Sequence, residues 1–395
     1  MNIVFMELGE FCGRHGQVWP KQTGVRTIWP GSRHSATFSG TLELRLMEER
    51  VIRAFGFAVL AAALFGAATP ASKMLLSDLT PFQLAGLLYL GAAIGVLPRA
   101  ARSGRIQLPG RGDRRNRLRL LGAVVAGGIC GPVLLLFGLR LAMAASVSLW
   151  LNFELAATAL LGVALFRDHL GPLGWSGVAS AIAGAVLLSL PQGTSGLAAG
   201  GLVLAACLFW GIDNHLTALI DGITPSQSTF WKGLVAGVTN LMIGLILSPW
   251  DASLMVVLAG LFVGSWAYGA SITLYISSAQ VIGATRAQIA FASAPFFGVA
   301  FSVILLGEAF GLAHLGSTAL FVVGIVLLTL ERHEHAHTHS ETEHEHEHRH
   351  DDEHHDHEHA ETAEPDGHTH RHAHERLVHS HPHWPDLHHR HSHDG

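Results

Sequence analysis

The chain has 395 residues, 49% of them hydrophobic and only 14% charged. Soluble domains carry about 25% charged residues, so the composition speaks against a soluble enzyme or a nucleic-acid binder and for a lipid environment. The formal net charge of −5 hides a split: residues 333–395 hold 23 of the 28 histidines with 16 acids and 4 arginines, a net −12, which leaves the rest at +7. A slightly basic apolar body therefore precedes an acidic, His-rich tail.

Residues 1–46 contain no apolar run long enough for a signal-peptide core and read as an irregular extension. Met47, followed by Glu-Glu-Arg and an apolar run, reads as a natural start. From Arg53 onward, apolar runs of the length that crosses about 30 Å of hydrocarbon recur. Their spacing predicts ten helices, near 54–76, 81–99, 119–140, 143–165, 171–190, 198–220, 225–248, 253–276, 284–306 and 311–330. Helices are expected because irregular backbone would leave its polar groups unpaired in lipid. Cys12, Cys130 and Cys207 are scattered and form neither a disulfide framework nor a CxxC site.

The loop at 99–119 carries Arg99, Arg102, Arg105, Arg111, Arg114, Arg115, Arg117 and Arg119 against one acid, Asp113. A loop this basic stays in the cytoplasm. Ten crossings then place both termini inside, although Arg140 near an external helix end dissents.

Internal repetition is the most informative pattern. Leu-Ala-Ala-Ala-Leu-Phe (60–65) matches Leu-Ala-Ala-Cys-Leu-Phe (204–209), and Thr80-Pro-Phe-Gln83 matches Thr224-Pro-Ser-Gln227, both at an offset of 144. Asp168-His-Leu-Gly171 matches Glu308-Ala-Phe-Gly311, and Gly184-Ala-Val-Leu-Leu188 matches Gly324-Ile-Val-Leu-Leu328, at an offset of 140. The longer basic loop of the first copy accounts for the four residues. Each copy holds five helices, an odd number, so the second crosses the bilayer in the opposite sense. The expected fold is thus all-α and membrane-integral, ten transmembrane helices in two inverted-topology five-helix repeats at 52–190 and 197–331. Such repeats place a substrate site near the midplane and permit alternating access.

Ionisable groups in mid-membrane are functional candidates by default. Glu154, in the middle of the fourth helix beside Asn152, is the clearest, and its repeat mate is Ala294. Its expected role is proton coupling or recognition of a substrate amine. The sixth helix carries Trp210, Asp213, Asn214 and His215, and helical spacing puts Trp210, Asp213 or Asn214, and Thr217 on one face. Asp213 lies eight residues before Asp221 and Lys232 eight after Thr224. Both therefore sit about 12 Å from the same hairpin turn and are placed to form an ion pair; the alternative is that Lys232 snorkels to the interface while Asp213 faces water. Lys73 and Arg286, near helix ends, read as snorkelling. Tyr268, Tyr275, Asn240 and Gln288 are lesser candidates; Pro70, Pro132 and Pro295 break helical hydrogen bonds, and Pro70 and Pro295, in different repeats, mark broken helices that would line a central cavity.

The ten-helix, two-repeat pattern, with Leu306-Gly307-Glu308 closing the ninth helix and glycines punctuating the last, resembles the EamA family of the drug/metabolite transporter superfamily over about 52–331. Pro295 fits that family's pattern. The matching place in the fourth helix holds Leu155, preceded by Glu154, and Arg167-Asp168 stands where a Gly-Glu pair is common. The resemblance implies transport of amino acids, metabolites or drugs, often outward, and leaves the substrate open. The tail also resembles the His-rich ends of a bacterial subgroup of such transporters.

In the tail, His333, His335, His337 and His339, then His344, His346, His348 and His350, alternate with other residues. Imidazole binds Zn, Ni and Cu, and alternate residues of an extended chain project to one side. Many weak sites for Ni, Zn, Co or Cu are expected on an otherwise disordered segment, and no cofactor is required. The reading is a multi-pass secondary carrier of the bacterial plasma (inner) membrane, non-enzymatic, with lipid and a small solute as partners and an oligomer compatible with the pattern. The rivals are a transition-metal permease with the tail as collector or sensor, and a non-transporting metal receptor. His169, His215 and His314 are poor provision for a metal path.

Overall fold

In the computed structural model the described residues are 52–330, apart from 103, 111, 167–169, 221, 283–286 and 288–289, together with 334–339, 342–348, 368–374 and 377–382 of the tail. The expectations for residues 1–46, Asp168, His169, Arg286, Gln288, His333 and His350 lie outside them.

The membrane body is all helical. Its elements are α1 (Ile52–Leu75), α2 (Pro81–Ala100), α3 (Arg114–Leu141), α4 (Ala144–Ala164), α5 (Pro172–Ser189), α6 (Gly193–Ala218), α7 (Pro225–Leu247), α8 (Leu254–Ser278), α9 (Ala294–Leu306) and α10 (Leu312–Leu330). Among the described residues, seven apolar helical stretches are long enough to cross a bilayer, and two are shorter. One of the seven, Pro172–Thr217, is long enough for two crossings. It turns back at Leu190–Gln192 and at Gly193, whose φ of +65° is a left-handed value glycine adopts without strain. The Ser189 hydroxyl consequently lies against Gly200, eleven residues on, where a straight helix would separate them by about 16 Å.

Helix starts follow local chemistry. Thr80 and Thr224 each accept a bond from the N–H three residues on, and Gln83 and Gln227 reach back to the threonine N–H. These are capping boxes, and they explain the repeated Thr-Pro-x-Gln. Asp113 starts α3, earlier than expected, by accepting from Asn116 N at 3.0 Å, a bond that holds its carboxyl below the usual range.

The repeats match in their irregularities too. A π-turn occupies Val124–Cys130 in α3 and Gly264–Ala270 in α8, at the same offset of 140. Breaks fall at 151–152 in α4 and 292–293 before α9. Mates pack on mates: α2 along α7, α4 along α9, α5 along α10. Gly86 faces Leu241 while Gly237 faces Leu90, so α2 and α7 run antiparallel; Gly177 against Leu328 and Gly184 against Leu320 show the same for α5 and α10. Small residues permit these close crossings. The capping glutamines complete the reciprocity. Gln83 Nε2 donates to the Pro249 carbonyl beyond α7 (3.2 Å), and Gln227 Nε2 to the Arg105 carbonyl beyond α2 (3.1 Å).

The described part of the tail is extended. Its described backbone forms β1 (Glu334–His339), β2 (Thr342–His348), β3 (His368–His374) and β4 (Leu377–Pro382), with β1 antiparallel to β4 and β2 to β3. The register sets His335 opposite His381, His337 opposite His379, His344 opposite His372 and His346 opposite His370. Strict alternation is the strand's own period, a signal that low apolar content masks.

Candidate functional site

The π-turn of α3 organises the centre. A widened turn leaves carbonyls without the usual helical N–H partners, and side chains from three other helices fill the vacancies. Gly127 O accepts from Trp210 Nε1 on α6 (3.1 Å) and from the Tyr89 hydroxyl on α2, while Gly128 O accepts from Asn240 Nδ2 on α7 (2.9 Å). The absent side chain of Gly127 matters equally: a Cβ there would collide with the Asp213 carboxylate.

Asp213 and Lys232 form the ion pair that the hairpin count places at one depth. Lys232 Nζ lies 3.2 and 3.0 Å from the two carboxylate oxygens, and Thr217 Oγ1 donates to Oδ1 at 2.9 Å. The side chains are 7% and 0% exposed, so neither snorkelling nor exposure to water describes them. Asp213 and Thr217 share a helix face, as expected. Asn214 turns toward α4, where its Nδ2 donates to Glu154 Oε1 (3.2 Å) and Thr158 Oγ1 (3.1 Å). His215 Nε2 pairs with the Thr158 carbonyl at 3.0 Å. The Oδ1 of Asn214 is buried without a partner.

Beside this network lies a cavity of about 60 Å³, lined by Phe65, Ala68, Thr69, Tyr89, Leu135, Leu151, Glu154, Trp210, Tyr268 and Pro295. Sites for drug-sized ligands measure roughly 300–1,000 Å³, so this one suits a small solute. Both repeats contribute walls. Tyr268 packs on Phe65 (centroids 5.5 Å apart) and Tyr89 (6.1 Å). Of the sequence candidates, Glu154, Trp210 and Tyr268 line the cavity; Asn214 bonds Glu154 from behind, and Asp213 and Lys232 pair with each other outside the lining. Asn152 and His215 do not line it; Asn152 bonds the Leu149 carbonyl (2.9 Å) at the break in α4. Pro295 does line it, whereas Pro70 and Pro132 do not. Sequence reasoning missed Tyr89, Phe65, Thr158 and the Gly127 carbonyl. Tyr89 left a signal, being one of only three tyrosines and lying inside an apolar helix.

A second cluster joins the ends of α1, α3, α4 and α10. Lys73 does not snorkel: its Nζ donates to the carbonyls of Leu139 (2.6 Å) and Ala142 (2.8 Å). Across the same short loop, Glu308 accepts from Ala144 N and Ala145 N, both at 2.7 Å. A cation thus caps the C-terminus of one helix and an anion the N-terminus of the next, as the backbone dipoles favour. Ser146 Oγ contacts His314 Nε2 (3.1 Å) and accepts from Gln192 Nε2 (3.0 Å).

Paired helical repeats enclosing a small, polar and aromatic cavity define a membrane transport protein. The chain belongs to the EamA-like transporter family, which it matches over residues 52–190 and 198–330. It is 29% identical over 287 residues to an uncharacterized transporter of Methanothermobacter thermautotrophicus (strain Delta H), covering 67% of this chain and 82% of that protein. It is 27% identical over 230 residues to the uncharacterized inner membrane transporter YicL of Salmonella typhimurium (strain LT2), covering 55% and 75%. Among solved structures, a protein crystal structure superposes with a TM-score of 0.49 at 17% identity, over 71% of this chain and 97% of that one.

Proposed function

We propose that the chain is a ten-crossing secondary carrier with inverted repeats, exporting a small metabolite across a bacterial plasma membrane by alternating access. One observation carries this reading: the cavity with Glu154 on its wall is built by helices of both repeats. Rocking one repeat against the other would expose it to each side in turn. The antiparallel packing of mates supports the inverted arrangement, and the arginine-rich 99–119 loop supports cytoplasmic ends. Glu154 lies 10 residues from the start of α4 and 10 from its end, which puts it near the midplane. As the mid-membrane carboxyl on the cavity wall it is the natural coupling group.

The test is solute counterflow in vesicles containing the full chain, beside reporters fused after residue 331 and inserted in the 99–119 loop. Counterflow with both reporters cytoplasmic is expected. An external reporter at either point would overturn the inverted ten-helix arrangement.

The metal-permease reading draws its support from the tail alone, where the strand register pairs histidines. No histidine or cysteine lines the cavity. The tail is therefore proposed as a reservoir for Ni, Zn, Co or Cu attached to a carrier of something else.

A further inference from the structure

We propose that the cavity takes a small organic cation, an amine or methylated ammonium, held by Glu154 within an aromatic cage. The proposal rests on the carrier reading and narrows it to a substrate class.

Charge decides first. Of the residues lining the cavity, Glu154 alone is ionisable in the usual pH range. It is 2% exposed, and its bond from Asn214 Nδ2 engages Oε1. The nearby charges are already spent on each other: Lys232 is bound to both oxygens of Asp213. An ionised carboxylate in a low-dielectric site needs a cation, and among the described residues no cationic side chain bonds Glu154. The same accounting disfavours anions and amino-acid zwitterions, because a ligand carboxylate would meet Glu154 and find no cationic side chain among the described lining residues.

The walls decide next. Phe65, Tyr89, Trp210 and Tyr268 surround the space. Tyr89 and Trp210 commit their polar hydrogens to the Gly127 carbonyl. That bond spends the polar hydrogens of both residues, so what their rings offer a ligand is aromatic surface. Aromatic faces attract ammonium groups, most strongly when water is excluded. A transition-metal ion would require several nitrogen, sulfur or carboxylate donors, and the lining offers one carboxylate with hydroxyls.

The experiment uses the full chain in vesicles of phosphatidylethanolamine and phosphatidylglycerol. The probes are methylammonium, tetramethylammonium, isobutyrate, tert-butanol, glycine and NiCl₂, each measured for binding and for counterflow. At least one ammonium probe should bind and exchange, and the acid, alcohol and metal should not compete. Glu154→Gln should weaken ammonium binding at least about tenfold, the loss of a desolvated charge pair, with an unchanged size-exclusion profile. Trp210→Leu and Tyr268→Leu should each weaken it roughly 3- to 30-fold. If neither ammonium probe binds, or if binding ignores Glu154→Gln, the cation assignment is wrong. Counterflow of isobutyrate, glycine or nickel in place of the ammonium probes would overturn the assignment and leave the carrier standing. Absence of counterflow for every probe, with properly inserted protein, would overturn the carrier reading as well.

Discussion

Where the second repeat carries Trp210, Asp213 and Lys232, the first carries Gly66, Thr69 and Leu88; where the first carries Lys73 and Glu154, the second carries Thr217 and Ala294. The frames nevertheless coincide in capping boxes, π-turns and helix breaks. Geometry is repeated and chemistry is not. In the proposed orientation the Asp213–Lys232 pair lies in the cytoplasmic half and the Lys73–Glu308 clamp at the external end, so the two ends are held by different interactions. A carrier whose two ends open at different free-energy cost can favour one resting state, and this asymmetry resides in side chains rather than in the fold.

The strongest way to break the comparison is to remove one partner of the buried pair. Lys232→Met leaves Asp213 charged and enclosed, and such a loss costs about 3–5 kcal/mol. We expect a large fall in thermal stability in detergent, with much of it recovered in the double variant Lys232→Met, Asp213→Asn. A single variant as stable as the parent would mean the pair is solvated and the asymmetry between the two ends illusory.

Next comes the group with no mate. Glu154→Gln should abolish flux driven by a pH gradient, a loss of tenfold or more (about 1.4 kcal/mol for each factor of ten), while the protein still reaches the membrane. Flux that persists unchanged across a pH range would make Glu154 a structural acid, and would return the coupling role to the ion pair.

The external clamp is the milder perturbation. Glu308→Ala removes two charge-assisted bonds from the start of α4, each worth about 1.5–3 kcal/mol when fully buried and less at this half-exposed place. In a background lacking Cys12, Cys130 and Cys207, a cysteine placed by Met143→Cys should react several-fold faster with an impermeant maleimide added outside. Lys73→Met should act in the same direction, since it releases the other end of the same loop. Unchanged labelling in both variants would reduce the clamp to simple helix capping.

Much of this is legible in the amino-acid sequence. The repeat was visible because Thr-Pro-x-Gln and acid-x-x-Gly are structural words that lipid-facing filler does not spell. Counting residues away from one turn puts Asp213 and Lys232 at one depth but leaves pairing and snorkelling equally open. The π-turns were not legible: runs such as Val-Val-Ala-Gly-Gly continue an ordinary helix equally well on paper. Without them the convergence of Tyr89, Trp210 and Asn240 on two carbonyls has no cause. Lys73 was misread for a related reason. Snorkelling is the default for a lone lysine near a helix end, and only the neighbouring loop, 66 residues away in sequence, supplies the carbonyls that hold it in.

The smallest expected effect on transport belongs to the tail, and it sharpens the comparison by marking where the repeats stop. The family match ends at residue 330, and the described strands of the tail pair only with one another. A segment attached through one helix end has no wall in the cavity, so truncation after Arg332 should leave counterflow within about twofold of the full chain, an effect under about 0.5 kcal/mol. Metal binding should behave oppositely. The truncated protein should lose most of its capacity for Ni, Zn and Cu, because 23 histidines leave with the tail. The full chain's affinity should fall steeply as pH drops through roughly 6, since ligation needs neutral imidazole and its ordinary pKa is about 6.5. Protonating all 23 would move the tail from −12 to +11, so pH alone also reverses its attraction for cations. Flux is to be measured with saturating solute and no added metal. If it vanishes although the truncated carrier is inserted and monodisperse, the tail is part of the transport machine, and the two repeats are not a self-sufficient unit.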